Sequence, residues 1–156
     1  MNKSHHYSVK VNWTGNTGSG TVGYTAYERS YEISSIGKPI IPASSDPAFR
    51  GDKTRYNPEE MLVASLSSCH MLWYLHLCAE AGVVVTKYID MASGIMTETE
   101  NGSGKFESVT LKPEVLVSEL AMVESAMALH KKAGEMCYIA NSCSFPVHHE
   151  PICKVE

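Results

Sequence analysis

The side chains in this chain that can do redox or nucleophilic chemistry are five cysteines, with three arginines that could activate them. The cysteines are Cys69, Cys78, Cys137, Cys143 and Cys153, and the arginines are Arg29, Arg50 and Arg55. The cysteine count is odd and no two are spaced C-x-x-C. Met1 to Ser8 carries no apolar run of the kind that opens a secretory signal. A secreted disulfide framework and a zinc ribbon therefore fit poorly, and redox or catalytic thiols fit better.

Cys69 sits in Ala64-Ser65-Leu66-Ser67-Ser68-Cys69-His70. It reads either as a small buried core thiol or as a nucleophile. It lies too far into its helix for the N-terminal dipole to lower its pKa, so a reactive thiolate there needs an imported cation, best an arginine. His70 points about 100° away around the helix and reads as a packing or surface residue rather than as a base.

The elements that position these residues follow from patterning. Alternation over 7–13 predicts a strand, Asn16 to Gly20 a turn, and Thr21–Ala26 and Ser30–Ile36 two further strands of a meander. Residues 37–56, with Gly37, Pro39, Pro42, Pro47 and Gly51, read as a long loop. Asn57-Pro58-Glu59-Glu60 is a helix start: Asn57 caps, Pro58 suits the first helical position, and the acids complement the dipole. That helix is expected to run to about Ala81 and stop at Gly82. Its apolar stripe is Leu62, Leu66, Cys69, Trp73 and Leu77, which places Cys69 on a face that is buried or at an interface.

A strand from Val83 to about Thr97, a turn over 98–104 around Asn101-Gly102, and a strand from Phe106 to Val117 follow, with Pro113 hinting at an edge or bulge. Ser118 is expected to cap a second helix from Glu119 to about Cys137, and residues 144–156 give a short last strand. The order is an α+β pattern in one domain, without repeats or linkers.

The 156 residues suffice for a core. The formal net charge of −4, without a basic face, argues against nucleic acid as a partner. Met61 to Val85 is the longest apolar region, but serines, histidines and Glu80 interrupt it, so it reads as no membrane span and the protein as cytoplasmic.

Asn57-Pro58-Glu59-Glu60-Met61-Leu62, then Ala64 and Ser68-Cys69-His70-Met71, resembles the OsmC/Ohr family of osmotically induced and organic hydroperoxide resistance proteins, with the same ten-residue gap from Glu59 to Cys69. His130 to Cys137 is similar to the family's second cysteine region, and Tyr138-Ile139-Ala140-Asn141-Ser142 looks like its OsmC-like branch. Gly134 departs from the pattern, where many relatives carry a histidine. The resemblance covers Ser8 to Val147.

It implies an OsmC-like α+β fold, antiparallel sheets packed on two central helices, in an intertwined homodimer. It implies a thiol peroxidase for organic hydroperoxides, with no metal and no bound organic cofactor. Cys69 would attack as thiolate and become a sulfenic acid, Cys137 would resolve it as a disulfide, and a dithiol reductant of the lipoyl type would recycle both. Glu59 would hold an arginine beside Cys69 through a bidentate ion pair; alone, its charge would work against the thiolate. Arg50, in Phe49-Arg50-Gly51, resembles the family's loop arginine, with Arg29 as the second choice.

The plainer readings stay open. Glu59 can be only a dipole partner, and Cys137 only a buried helix-end thiol, with Cys143 the other resolving candidate. Cys78 and Cys153 look structural or incidental. Met61, Met71, Trp73 and Tyr74 can line an apolar pocket or simply fill the core. Glu59 lies about 15 Å along the helix from Cys69, so both can act on one substrate only across a two-fold axis. Two other functions remain in view: a small-apolar-ligand binding protein on the same fold, and a thiol redox sensor.

Overall fold

The computed structural model describes residues 3–156, which fall into two compact units dividing between Met61 and Leu62. In the first unit β1 (Lys10–Trp13), β2 (Tyr31–Ser34) and β3 (Ile41–Ala43) form an antiparallel sheet in that order, with Trp13 opposite Tyr31 and Tyr31 opposite Ala43. Two of the three expected strands keep their places, both shortened: β1 lies within 7–13 and β2 within 30–36. Residues 21–26 form turns instead of a strand. Gly15 approaches the Glu28 carbonyl so closely that a Cβ would overlap it, and the Trp13 indole donates to the same carbonyl at 2.9 Å. The third strand comes from the segment expected to be loop. The rest of that segment holds a 3-10 turn at Pro47–Phe49, capped by the Asp46 carboxylate, which accepts from the Ala48 amide at 2.7 Å.

Helix α1 (Pro58–Glu80) opens with a reciprocal cap. The Glu60 amide donates to the Asn57 side chain at 2.7 Å, and the Asn57 amide donates to the Glu60 carboxylate at 3.1 Å. It closes with the paired bonds of a Schellman motif. Val83 N–H reaches the Cys78 carbonyl, Gly82 N–H reaches that of Ala79, and Gly82 takes φ +71°. Both ends match the expectation from Asn57-Pro58 and Gly82. The helix is long and apolar enough, by length and composition alone, to cross a membrane. It nevertheless buries Leu66, His70, Tyr74 and Cys78 in the core of the second unit.

That unit is built on one long hairpin folded over. The single strands expected at 83–97 and 106–117 each break, giving β4 (Val85–Asp90) and β5 (Ser93–Glu98), then β6 (Gly104–Leu111) and β7 (Pro113–Val117). β4 pairs with β7 and β5 with β6, antiparallel and in separate sheets. Asp90 fixes the corner: one carboxylate oxygen accepts from the Lys112 amide at 2.6 Å, the other from the Ser67 hydroxyl of α1 at 2.5 Å. Pro113 occupies a strand's first residue, where its missing N–H costs no ladder bond.

The expected last strand is also two. β8 (Val147–His149) adds to β6 and β9 (Ile152–Val155) adds to β7, both parallel, so the two sheets are mixed rather than purely antiparallel. The second helix begins later than expected. A 3-10 turn at Leu120–Met122 precedes α2 (Val123–Met136), and Ser118 provides no cap, its hydroxyl facing the Met122 sulfur.

Two apolar clusters fill this unit. One joins Tyr74, Cys78 and Val83 to Val115, Val117, Ala126 and Ala133. The other joins Leu66 to Val109 and Leu111, flanked by Phe106, Ile139 and Phe145.

Candidate active site

The buried face of α1 runs Leu66, His70, Tyr74, Cys78, one residue every turn. It is rotated from the expected stripe, of which only Leu66 is fully buried. This leaves Cys69 half-buried on the neighbouring face. Tyr74 is core, not pocket wall.

Cys137 ends α2, where the backbone leaves the helix for an extended conformation at ψ 108°. It is buried, and its sulfur accepts from the Ala140 amide at 3.4 Å. Its thiol neighbours that of Cys69. Burial, then hydrogen bonding and charge from Cys69, push the Cys137 thiol up to about 11. The two cysteines singled out from sequence are thus brought together from elements 68 residues apart in sequence. Cys143 flanks the second apolar cluster, and Cys78 and Cys153 lie in the first. Tyr138, next to Cys137, meets Trp73, one turn beyond Cys69, edge-to-face at 5.6 Å between ring centroids.

In the first unit the adjacent acids separate in role. Glu60 is consumed by the helix cap, whereas Glu59 Oε2 is buried without a hydrogen-bond partner among the described residues, and its charge helps burial raise the Tyr31 phenol. The three arginines also separate. Arg29 donates to the Tyr27 and Tyr24 carbonyls at 2.6 Å each, and its guanidinium lies over both rings. Arg55 pairs with Asp52 at 3.5 Å. Arg50, in the left-handed conformation at φ +66°, is exposed and has no ion pair among the described residues.

A cluster that the sequence did not announce lies behind Cys69. His70 Nε2 and His130 Nδ1 share a hydrogen bond of 3.0 Å, His130 stacks on Tyr74 with centroids 3.9 Å apart, and His149 leans on His70 at 4.4 Å. Burial is the main cause that lowers all three histidines, His70 to about 3 and His130 to about 4. Gly134 belongs to this cluster. A Cβ on it would stand 3.0 Å from the His149 ring, so the departure from the family pattern makes room for an imidazole arriving from β8.

Comparison with known proteins places the chain. Residues 51–151 match the family model described as OsmC-like protein. The chain belongs to the OsmC-like family. It is 30% identical to an OsmC-like protein of unknown function from Vibrio cholerae, whose structure it matches with a TM-score of 0.85 over 96% of this chain and 100% of that one. It is 26% identical to the uncharacterized protein YmaD of Bacillus subtilis, over 88% of this chain and 86% of the other. The organic hydroperoxide resistance protein OhrB of Bacillus subtilis shares the fold, with a TM-score of 0.59 and 20% identity over 95% of this chain and 98% of its own.

Proposed function

We propose that this OsmC-like protein is a two-cysteine peroxidase for organic hydroperoxides. The observation that carries the reading is the neighbouring pair of Cys69 and Cys137 thiols, one on a helix and one where a helix ends. The Cys69 thiolate attacks the peroxide O–O bond. Its sulfur takes the terminal oxygen as sulfenic acid, and the alkoxide leaves and is protonated to the alcohol. The Cys137 thiol then attacks that sulfur, forming the disulfide and releasing water. A dithiol reductant returns both thiols and is itself oxidised to a disulfide.

Activation falls to Glu59 and Arg50. The buried, unpartnered Glu59 oxygen supports a role as anchor for a guanidinium, and Arg50 is the arginine left uncommitted. A homodimer is part of the proposal. It is supported by exposed apolar side chains on the first sheet, among them Val11, Trp13 and Ile41, and by the helix length between Glu59 and Cys69.

The test is turnover of cumene hydroperoxide with dihydrolipoamide. Wild type should turn over, Cys69→Ser should be inactive, and Cys137→Ser should react once without recycling. Equal rates for wild type and Cys69→Ser would remove the peroxidase reading and leave the ligand-binding one.

A further inference from the structure

The two neighbouring thiols differ in access. Cys137 is only 1% exposed, whereas Cys69 is half-buried, on a face of α1 beside the buried one. The pair therefore offers solvent its Cys69 member.

Cys137 is also held inward. Its N–H donates to the Gly134 carbonyl at 3.3 Å, and its carbonyl accepts from the Asn141 amide at 3.0 Å. Its sulfur accepts from the Ala140 amide at 3.4 Å. The segment that follows is fastened to both helices. Tyr138 meets Trp73 of α1, and the Asn141 side chain donates to the Glu135 carbonyl of α2 at 3.0 Å. Turning this thiol out to solvent would break those contacts together.

Thiol–disulfide exchange is an in-line displacement: a thiolate attacks one sulfur from the side opposite the sulfur that leaves. Attack on Cys137 would take the reductant into the core. Attack on Cys69 comes from solvent and drives the leaving sulfur inward, where the Ala140 amide meets its developing negative charge. Burial, the first cause that pushes the Cys137 thiol up to about 11, makes it the weaker leaving group. Access outweighs this, because a sulfur that cannot be reached is not attacked at all. The same burial has a use once Cys137 is free: it takes a proton and is slow to attack again at neutral pH.

We infer that the recycling dithiol attacks Cys69 Sγ and expels Cys137, so that the mixed disulfide forms on Cys69; this rests on the two-cysteine reading above. The reductant thiolate forms a new S–S bond to Cys69 as the Cys69–Cys137 bond breaks. The electron pair goes to Cys137, which is protonated from water. The reductant's second thiol, giving up its proton, then attacks the reductant's own first sulfur. That closes the reductant's disulfide and releases Cys69 as thiolate.

The test starts from wild-type protein oxidised with diamide, which makes the disulfide without any peroxidase step. The oxidised protein is mixed with N-acetylcysteine, a monothiol, quenched within milliseconds by N-ethylmaleimide, and mapped by peptide mass. The N-acetylcysteine adduct should sit on Cys69 with N-ethylmaleimide on Cys137, in about tenfold excess over the reverse. An adduct on Cys137, equal adducts on both, or a diamide disulfide joining other cysteines would each overturn the inference. A parallel sample oxidised with cumene hydroperoxide separates the two readings. If it stays reduced while the diamide sample gives the Cys69 adduct, the peroxidase reading falls and the site of attack stands.

Discussion

His70 Nε2 and His130 Nδ1 stand 3.0 Å apart inside the second unit, joining the middle of α1 to the middle of α2 through two neutral rings. Neutrality is a condition of this packing. Both groups bind protons far more weakly folded than unfolded, where a histidine titrates near 6.5. Between pH 6.5 and about 4 the unfolded chain therefore carries more protons than the folded one. Stability is predicted to be level above pH 7 and to fall below 6.5, by roughly 1.4 kcal/mol per pH unit for each proton. Urea midpoints measured from pH 8 to pH 4 check this. A midpoint unchanged down to pH 5 would contradict the buried neutral pair.

Arg50 and Arg29 should part company in mutants. Arg29 holds two carbonyls and two tyrosine rings, so Arg29→Ala should cost stability of about 1–2 kcal/mol. Arg50→Ala should leave the urea midpoint unchanged and slow the single-turnover reaction of Cys69 with cumene hydroperoxide. The reverse assignment would show as a loss of rate only in Arg29→Ala.

Each end of α1 carries a replaceable device. Asn57→Ala removes the side-chain acceptor for the Glu60 amide and is predicted to cost about 1 kcal/mol. Gly82→Ala forces a Cβ into φ +71° and is predicted to cost about 1–2 kcal/mol. Chemical denaturation measures both, and the two losses should add because the sites lie a whole helix apart.

Gly134→Ala tests the space under His149. An interior helical glycine replaced by alanine ordinarily gains about 1 kcal/mol. Here the new Cβ meets the His149 ring at 3.0 Å, so the gain should vanish and the His149 ring resonances should move. A full gain in stability with an unmoved His149 would show that the gap is not needed.

Local chemistry made much of this legible in the sequence. Asn57-Pro58 and Gly82 marked both ends of α1 because capping depends on residues next to each other. Asn101-Gly102 marked its turn for the same reason, with Gly102 at φ +80°. The strand breaks at Met91-Ala92 and at Lys112 were not legible. They depend on Asp90 reaching the Lys112 amide and Ser67, partners 22 and 23 residues away. The rotated face of α1 was missed because His70 counted as polar, whereas in the fold it finds His130 across 60 residues and is buried as deeply as a leucine. Cys69 and Cys137 stood out by motif and prove to be neighbours, and the stacked histidines had no motif to announce them.

The parallel seating of β8 on β6 and of β9 on β7 bears on how the molecule is made. Each hairpin sheet of the second unit lacks its third strand until residues 147–155 have emerged from the ribosome. Until then β6 and β7 present open edges, the kind of surface that invites pairing with other chains. Those edges therefore stay open until the segment through Val155 is available, and folding of this unit cannot be completed before it.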